Sequence, residues 1–211
     1  SEMEPLYKIN DLTESVIGVS NIVGSLLVLG LSMGMYSIFL EQERNKSEKL
    51  LHNIMPKSIA EKLKNNIKTI SMDNPEISVL FADIVSFTEM SEKISSEKIV
   101  GFLNDMFSQF DDLTETYGVE KIKTIGDSYM VVSGMPVQKE DHALTLFNLA
   151  KEMIKISAQF KDHNGNPIKL RIGINSGPAI SGVIGKSKFA FDVWGDTINT
   201  CLLYTSDAAD E

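Results

Sequence analysis

Residues 79–88 read VLFADIVSFT, and the interpretation of the whole chain starts from this stretch. The apolar run at residues 77–82 predicts a buried β-strand, which ends at the carboxylate of Asp83. Residues 86–88, Ser-Phe-Thr, then turn the chain toward a helix. A carboxylate at the end of a strand, followed by a turn with free N–H groups, suits a metal ion that carries phosphates. The alternative is that Asp83 only caps the turn.

Residues 121–132 read KIKTIGDSYMVV and predict two strands joined by a tight turn. Gly126 and Asp127 form the turn, because a Gly-Asp pair between apolar strands is a hairpin signal. A second acidic residue therefore stands at a second turn of the sheet. Taken by itself, an Asp in a hairpin is ordinary turn chemistry.

Together the two segments resemble the class III nucleotidyl cyclases, the adenylyl and guanylyl cyclase family, over about residues 50–200. The resemblance implies that Asp83 and Asp127 hold two Mg²⁺ ions, for which Mn²⁺ can substitute, with the backbone carbonyl of Ile84 as a further ligand. It also implies that the backbone around Phe87 and Thr88 holds the terminal phosphates. Such metal ions neutralise phosphate charge and activate the ribose hydroxyl that attacks the α-phosphorus.

Residues 170–177, LRIGINSG, resemble another strand of the family, in which the arginine contacts phosphate. Arg171 inherits that role, and the fork of a guanidinium group suits phosphate oxygens. The alternative is that Arg171 is a surface charge on a strand.

The resemblance also concerns the choice of base. Lys123 can donate to N1 of adenine, and Asp192 can accept from its amino group. Adenylyl members of the family carry Lys and Asp at these positions, whereas guanylyl members typically carry Glu and Cys. ATP is therefore the expected substrate, although each residue alone could be a solvent-facing charge.

Residues 191–199, FDVWGDTIN, close the resemblance, and Asn199 matches the residue that orients the ribose. The family places an arginine four residues later, where this chain has Leu203. Residues 201–211 resemble no cyclase and are expected to be a non-native tail outside the fold. The alternatives to an adenylate cyclase are a guanylate cyclase and a cyclase-like domain that binds nucleotide without turnover.

The composition sets bounds on the class of protein. The chain has 211 residues, of which 43% are hydrophobic, so it can bury a core. Its net charge of −9 argues against a nucleic-acid partner. A single cysteine, Cys201, excludes an internal disulfide framework.

Residues 15–40 contain no Asp, Glu, Lys or Arg. As a helix they would extend for about 39 Å, which is long enough to cross a bilayer. A signal peptide would have a shorter apolar region with basic residues before it, and a buried soluble helix is the other alternative. Arg44, Lys46 and Lys49 follow the run, which places its C-terminal side in the cytoplasm.

The expected fold is α+β, a ferredoxin-like βαββαβ cyclase domain with extra strands, preceded by a transmembrane helix and a helical linker. Two helices and one strand can be predicted in detail. A helix from about residue 141 to 161 should turn Phe147 and Ile154 inward along with other apolar residues, and residues 176–178 should end the strand that starts at residue 168. An earlier helix should turn Val100 inward and end before Gly118.

The predicted organisation has five parts. They are an extracytoplasmic stub (1–14), a transmembrane helix (15–40), a helical linker that transmits signals (41–73), the catalytic domain (74–200) and the tail (201–211). The resemblance implies a homodimer formed through the catalytic domain and the linker, in contact with membrane lipid. Each of its two sites would take Asp83, Asp127 and Arg171 from one chain and Lys123, Asp192 and Asn199 from the other.

Overall fold

The computed structural model describes residues 4–52, 55–64, 70–185 and 188–205. The chain forms two compact units, Ser1–Asn53 and Ile54–Glu211. The first unit is one helix, α1, which spans Glu4–His52. By length and composition α1 could cross a membrane, since Leu12–Leu51 includes a window with a mean hydropathy of 2.0.

Helix α1 extends beyond residues 14 and 40, the predicted ends of the apolar helix. It continues from the predicted stub through the apolar run into the predicted linker. The reason is local, because residues 41–46, EQERNK, are mostly good helix formers and contain no Gly or Pro. Pro56 does interrupt the helical pattern as expected, since α1 ends at His52 and the next helix begins at Lys57.

The second unit is an α+β domain, as predicted. Its elements in chain order are α2 (Lys57–Lys64), β1 (Ile70–Ile84), α3 (Phe87–Lys93), α4 (Ser96–Tyr117), β2 (Glu120–Ile125), β3 (Ser128–Ser133), α5 (His142–Ser157), β4 (Leu170–Ile184), β5 (Ala190–Trp194) and α6 (Asp196–Thr205). The five strands form one antiparallel sheet in the order β2-β3-β1-β4-β5. The order β2-β3-β1-β4 is that of a ferredoxin-like βαββαβ unit, and β5 is an extra edge strand.

Helices α4 and α5 cover one face of the sheet and form the main core. Alternate residues of β1 point into this core, because successive side chains of a strand face opposite sides. The buried core residues include Leu80, Ala82 and Ile84 of β1, Met106 and Phe110 of α4, Tyr129 and Val131 of β3, and Leu146, Leu149 and Met153 of α5.

Three side chains expected in the core are exposed instead. Val100 of α4 is 65% exposed, and Phe147 and Ile154 of α5 are 56% and 50% exposed. The helical period explains the error on α5: buried residues 146, 149, 150 and 153 occupy one face, and positions 147 and 154 lie a full two turns apart on another. Both faces of α5 carry apolar residues, so the pattern alone did not identify the buried one.

Strands β1 and β4 are longer than predicted. β1 begins at Ile70, inside the segment assigned to the linker, and β4 continues through residues 176–178 to Ile184. Their pairing shifts register between Asn74 and Ile77, where Pro75 faces the region of Pro178. A bulge is where a strand tolerates proline, because the missing N–H is not needed for the ladder. The prediction that residues 176–178 end the strand is therefore wrong.

Helix α6 lies against the other face of the sheet, where a side chain at Gly173 would meet Thr205. The helix includes Cys201 and Thr205, which are 3% and 1% exposed. Residues 201–205 are thus part of the folded unit, contrary to the expected boundary at residue 200, because a four-residue spacing turns both side chains toward the sheet. Residues 206–211 of the predicted tail lie outside the described residues.

Candidate active site

Asp83 and Asp127 lie at the same end of two neighbouring strands. The β1–β3 ladder ends with the pair Ala82 and Tyr129. Asp83 is the next residue of β1, and Asp127 precedes β3 by one residue, in the turn. Continuing the ladder by one position would set Asp83 opposite Ser128, which directly follows Asp127. Neighbouring strands lie about 4.8 Å apart, so both acids lie at one corner of the sheet. Both side chains are half-buried.

The local sequence explains why the chain turns at this corner. Gly126 has a φ of +62° and lies in the predicted two-residue hairpin turn. Ser86 has a φ of +58° and turns the chain from β1 into α3. It is the one non-glycine residue with positive φ in the described part of the chain. Phe87 then packs against the core, and Thr88 is exposed on the first turn of α3.

The donor chemistry of this corner fits a hard divalent cation. Carboxylate and carbonyl oxygens are the ligands that Mg²⁺ prefers, and Mg²⁺ is commonly held by one or two carboxylates together with substrate phosphates. Within residues 4–52, 55–64, 70–185 and 188–205, no group of three or more His, Cys, Asp or Glu side chains could hold a metal ion. The corner is thus a two-carboxylate arrangement and not a closed protein cage. Ile84, the third expected ligand, pairs in register with Leu170 of β4.

Arg171 stands directly beside Asp83 on the neighbouring strand. The two residues are register partners in the β1–β4 ladder, so their side chains emerge on the same face. Leu170 and Ile172, on either side of Arg171, pack toward the core under α4 and α5. The guanidinium is therefore carried at the end of the sheet that also carries the two carboxylates.

Lys123 and Asp192 meet across the domain. The Lys123 Nζ lies 2.6 Å from Asp192 Oδ2, and the two side chains are 41% and 20% exposed. β2 and β5 are the opposite edges of the sheet, which in a flat sheet would be about 19 Å apart. The ion pair therefore requires a strongly twisted and curled sheet. The second Asp192 oxygen accepts a hydrogen bond from Val193 N at 2.8 Å.

Asn199 is exposed on the first turns of α6. Gly195 O accepts hydrogen bonds from Ile198 N and Asn199 N at 3.1 and 3.2 Å, so the helix begins one residue after Gly195. Leu203 follows Asn199 by four residues, which places it on the same face of the helix, and it is 55% exposed.

Asp111 of α4, which contacts two side chains of the sheet, was not identified from the sequence. Its two carboxylate oxygens lie 2.6 and 2.8 Å from Lys121 Nζ, and the Tyr129 hydroxyl donates a hydrogen bond to it. Burial, together with the neighbouring Asp111 carboxylate, raises the pKa of Tyr129, so that this hydroxyl remains a donor. Asp111 lies one helical turn from Phe107 and Thr114, at the edge of the apolar stripe of α4, whereas Asp112 lies one turn from Ser108 and Glu115. This spacing is the signal that could have identified Asp111.

Comparison with known proteins establishes the family. The chain belongs to the adenylate and guanylate cyclase catalytic domains, because the family model of that description matches residues 70–211. The resemblance seen in the sequence is thereby confirmed. The chain is 48% identical over 161 residues to an adenylate cyclase of Mycobacterium tuberculosis (strain ATCC 25618 / H37Rv), which covers 76% of this chain and 36% of that protein.

Two further similar proteins are named as guanylate or guanylyl cyclases. The chain is 40% identical over 160 residues to guanylate cyclase soluble subunit beta-2 of Rattus norvegicus, covering 75% of this chain and 23% of that protein. It also resembles the solved catalytic core of a rhodopsin-guanylyl cyclase with converted specificity in complex with ATPαS. That likeness has a TM-score of 0.61 and 36% identity, over 65% of this chain and 74% of the other. The chain spans about a third of the length of the mycobacterial adenylate cyclases that it matches.

Proposed function

We propose that this domain converts ATP to 3′,5′-cyclic AMP and pyrophosphate at the interface of a homodimer, as part of intracellular signalling. The observation that carries the proposal is the register that brings Asp83 and Asp127 to one corner of the sheet, beside Arg171. The identity to proteins named adenylate cyclase supports it. Because the chain belongs to a cyclase family, its expected substrate is a nucleoside triphosphate.

In this proposal Asp83 and Asp127 hold two Mg²⁺ ions, or Mn²⁺ in their place, with the carbonyl of Ile84 as a further ligand. When bound, these ions supply charge neutralisation at the phosphates and lower the pKa of the attacking hydroxyl. The guanidinium of Arg171 binds phosphate oxygens in the same corner. The backbone at Phe87 and Thr88 binds the terminal phosphates, and Asn199 of the partner chain orients the ribose.

Lys123 and Asp192 select the base. The ammonium has three donors and the carboxylate about four lone-pair positions, so each keeps hydrogen-bonding capacity while they contact each other. Their mutual contact at 2.6 Å holds the donor and the acceptor side by side before the base arrives. Adenine offers a bare N1 and an amino group, which match this order, whereas guanine offers an N1–H and a carbonyl. ATP is therefore favoured over GTP.

A second candidate function is nucleotide binding without turnover. Leu203 favours it, because the family has an arginine at this position, one helical turn from Asn199. A side chain without charge or donors cannot stabilise the developing charge on the phosphates. Cyclic AMP formation by this chain would exclude the second candidate.

We also propose that the protein is a single-pass membrane protein with this domain in the cytoplasm. The length and composition of α1 and the basic residues Arg44, Lys46 and Lys49 support this orientation. In right-side-out vesicles, external protease should leave residues 70–205 intact, and cleavage within that range would refute the orientation.

The catalytic proposal is tested by Asp83→Ala and Asp127→Ala, each made in the protein expressed from its native gene. Each should lower kcat about 10³-fold or more, because each removes a carboxylate on which the metal chemistry depends. Asp73→Ala, an exposed carboxylate at the other end of β1, is the matched control and should retain activity. Near-normal cyclic AMP formation in either site variant with Mg²⁺ or Mn²⁺ would contradict the assignment.

A further inference from the structure

Strand β2 contains a one-residue bulge that separates its two lysines. Lys121 pairs with Val131 of β3, but Lys123 pairs with Met130, so Ile122 is the extra residue. In a regular strand Lys121 and Lys123 would share a face, because side chains repeat every two residues. Bulges next to active sites commonly redirect a side chain.

The bulge places the two ammonium groups on opposite faces of the sheet. Val131 belongs to the core under α4 and α5, so Lys121 lies on the helix face. Met130 points to the other face, and Lys123 on that face reaches Asp192. Only one of the two lysines therefore stands where the base is expected to bind.

Three contacts hold Lys121 on the helix face, and all of them involve the Asp111–Tyr129 pair. Lys121 Nζ contacts both oxygens of Asp111 at 2.6 and 2.8 Å. The same ammonium lies 5.0 Å from the centroid of the Tyr129 ring, a cation–π distance. The Tyr129 hydroxyl donates a hydrogen bond to Asp111, and Tyr129 itself is 0% exposed. This hydrogen bond from a buried side chain fixes the position of the Asp111 carboxylate.

The hairpin turn determines which lysine would change face if β2 paired with β3 without the bulge. Ile125 pairs with Ser128 across the two-residue Gly126-Asp127 turn, which cannot be shortened. Regular pairing would therefore keep Lys123 in place and move Lys121 to the face of Lys123. Two residues along a strand are about 6.7 Å apart, which a lysine side chain can span. Lys121 would then come within reach of Asp192.

We propose that Asp111 is a positioning residue that anchors Lys121 on the helix face and so leaves Lys123 as the one of these two lysines beside Asp192 on the opposite face, where the base is expected to bind. Asp111 thereby contributes to base selection without contacting the nucleotide. The effect on selection rests on the proposed adenylate cyclase function, whereas the effect on lysine placement does not.

Lysine placement can be measured without activity, by zero-length carbodiimide cross-linking of the 211-residue chain and mass spectrometry. The unmutated chain should give Lys121–Asp111 and Lys123–Asp192 links. Asp111→Ala should add a Lys121–Asp192 link and reduce the Lys123–Asp192 link about two- to fivefold, as competition for a half-buried ion pair allows. Asp112→Ala, the exposed neighbour on the same helix, is the control and should leave both native links unchanged.

Base preference supplies the second measurement, in the protein expressed from its native gene. Asp111→Ala should lower the ATP:GTP ratio of kcat/KM about tenfold, because a second ammonium can pair with the guanine carbonyl. Lys121→Met alone should keep the ratio, and Lys121→Met added to Asp111→Ala should restore it by removing the misplaced charge. A loss of mere stability would not be repaired by the second substitution. If Asp111→Ala fails to fold, Asp111→Asn keeps the hydrogen bond to Tyr129 and drops the charge.

The outcomes separate the two proposals. Native cross-links and an unchanged ratio in both Asp111 variants, in a protein that makes cyclic AMP, would overturn the positioning role. A double variant no more selective than Asp111→Ala would do the same. A new Lys121–Asp192 cross-link in Asp111→Ala, in a protein that lacks turnover, would support the positioning role and count against the proposed function.

Discussion

At the scale of single residues, we expect the contact between Lys123 and Asp192 to determine substrate preference. The two groups lie 2.6 Å apart and are less than half exposed. A site built to hydrogen-bond a polar edge rejects a mismatched edge strongly, because the buried groups of the site are then left without partners. Substrate choice should therefore respond to the identities of these two side chains more than to the shape of the domain.

Lys123→Glu combined with Asp192→Cys should weaken the use of ATP and admit GTP. Guanine reverses the donor and the acceptor, and the ratio of kcat/KM for the two nucleotides should change by a factor on the order of 10⁴ at most. Each single change should lose ATP activity with little gain for GTP, since one mismatched partner remains. An unchanged ratio in the double variant would show that these residues do not read the base.

Glu120 of β2 should make the free energy of unfolding of the domain depend on pH. Burial raises the pKa of Glu120 from 4.5 to about 7. The folded state therefore binds this proton more tightly than the unfolded state, and the stability that results is fully present below about pH 4.5 and is lost as the pH rises through about 7.

Glu120→Gln should accordingly raise the free energy of unfolding by roughly 1–2 kcal/mol at pH 8 and change it little at pH 4.5. The chain has one tryptophan, Trp194 on β5, so its fluorescence in a urea titration reports on this domain. Glu92→Gln, at an exposed position of α3, is the control. Equal stabilisation by Glu120→Gln at both pH values would disprove the linkage.

At the scale of elements, the C-terminal end of α4 is marked by a glycine that can be recognised in the sequence. It ends at Gly118, which has a φ of +59° and donates to Glu115 O, while Val119 N donates to Thr114 O. A left-handed residue at this position suits glycine, because it has no Cβ to clash with the following carbonyl. The helix leads directly into β2, which carries Lys121 and Lys123.

Substitution by alanine should have opposite effects at the two glycines of α4 and its cap. Gly118→Ala should lower the free energy of unfolding by about 1 kcal/mol, because it forces a Cβ into the left-handed region. Gly101→Ala lies within the helix, where no atom is within 4 Å of the added Cβ, and should raise it by roughly 0.5–1 kcal/mol. Denaturation followed at Trp194 measures both, and the same sign for the two variants would contradict the capping argument.

At the scale of the whole molecule, the proposed sites are shared between two chains. The metal-binding and phosphate-binding residues would come from one chain and Lys123, Asp192 and Asn199 from its partner. A two-fold dimer then contains two equivalent sites, and neither chain completes one alone.

Mixing two inactive variants should therefore restore turnover. Asp127→Ala and Asn199→Ala damage different halves of a site, so a mixed dimer has one intact site and one doubly damaged site. If half of the dimers are mixed, about a quarter of the normal activity should return. Each variant assayed alone at the same total concentration is the control, and activity that stays at the level of the single variants would show that the sites are not shared.

The amino-acid sequence by itself determined the family, the βαββαβ order and the hairpin at Gly126-Asp127, since apolar runs, turn residues and helix ends are local signals that neighbouring residues impose on the backbone. Only the tertiary structure decided which face of α5 is buried, how Pro75 and Pro178 share a bulge, and which acids Lys121 and Lys123 meet. Lys123 and Asp192 are 69 residues apart. Their contact depends on the register and curl of all five strands, which no local pattern encodes.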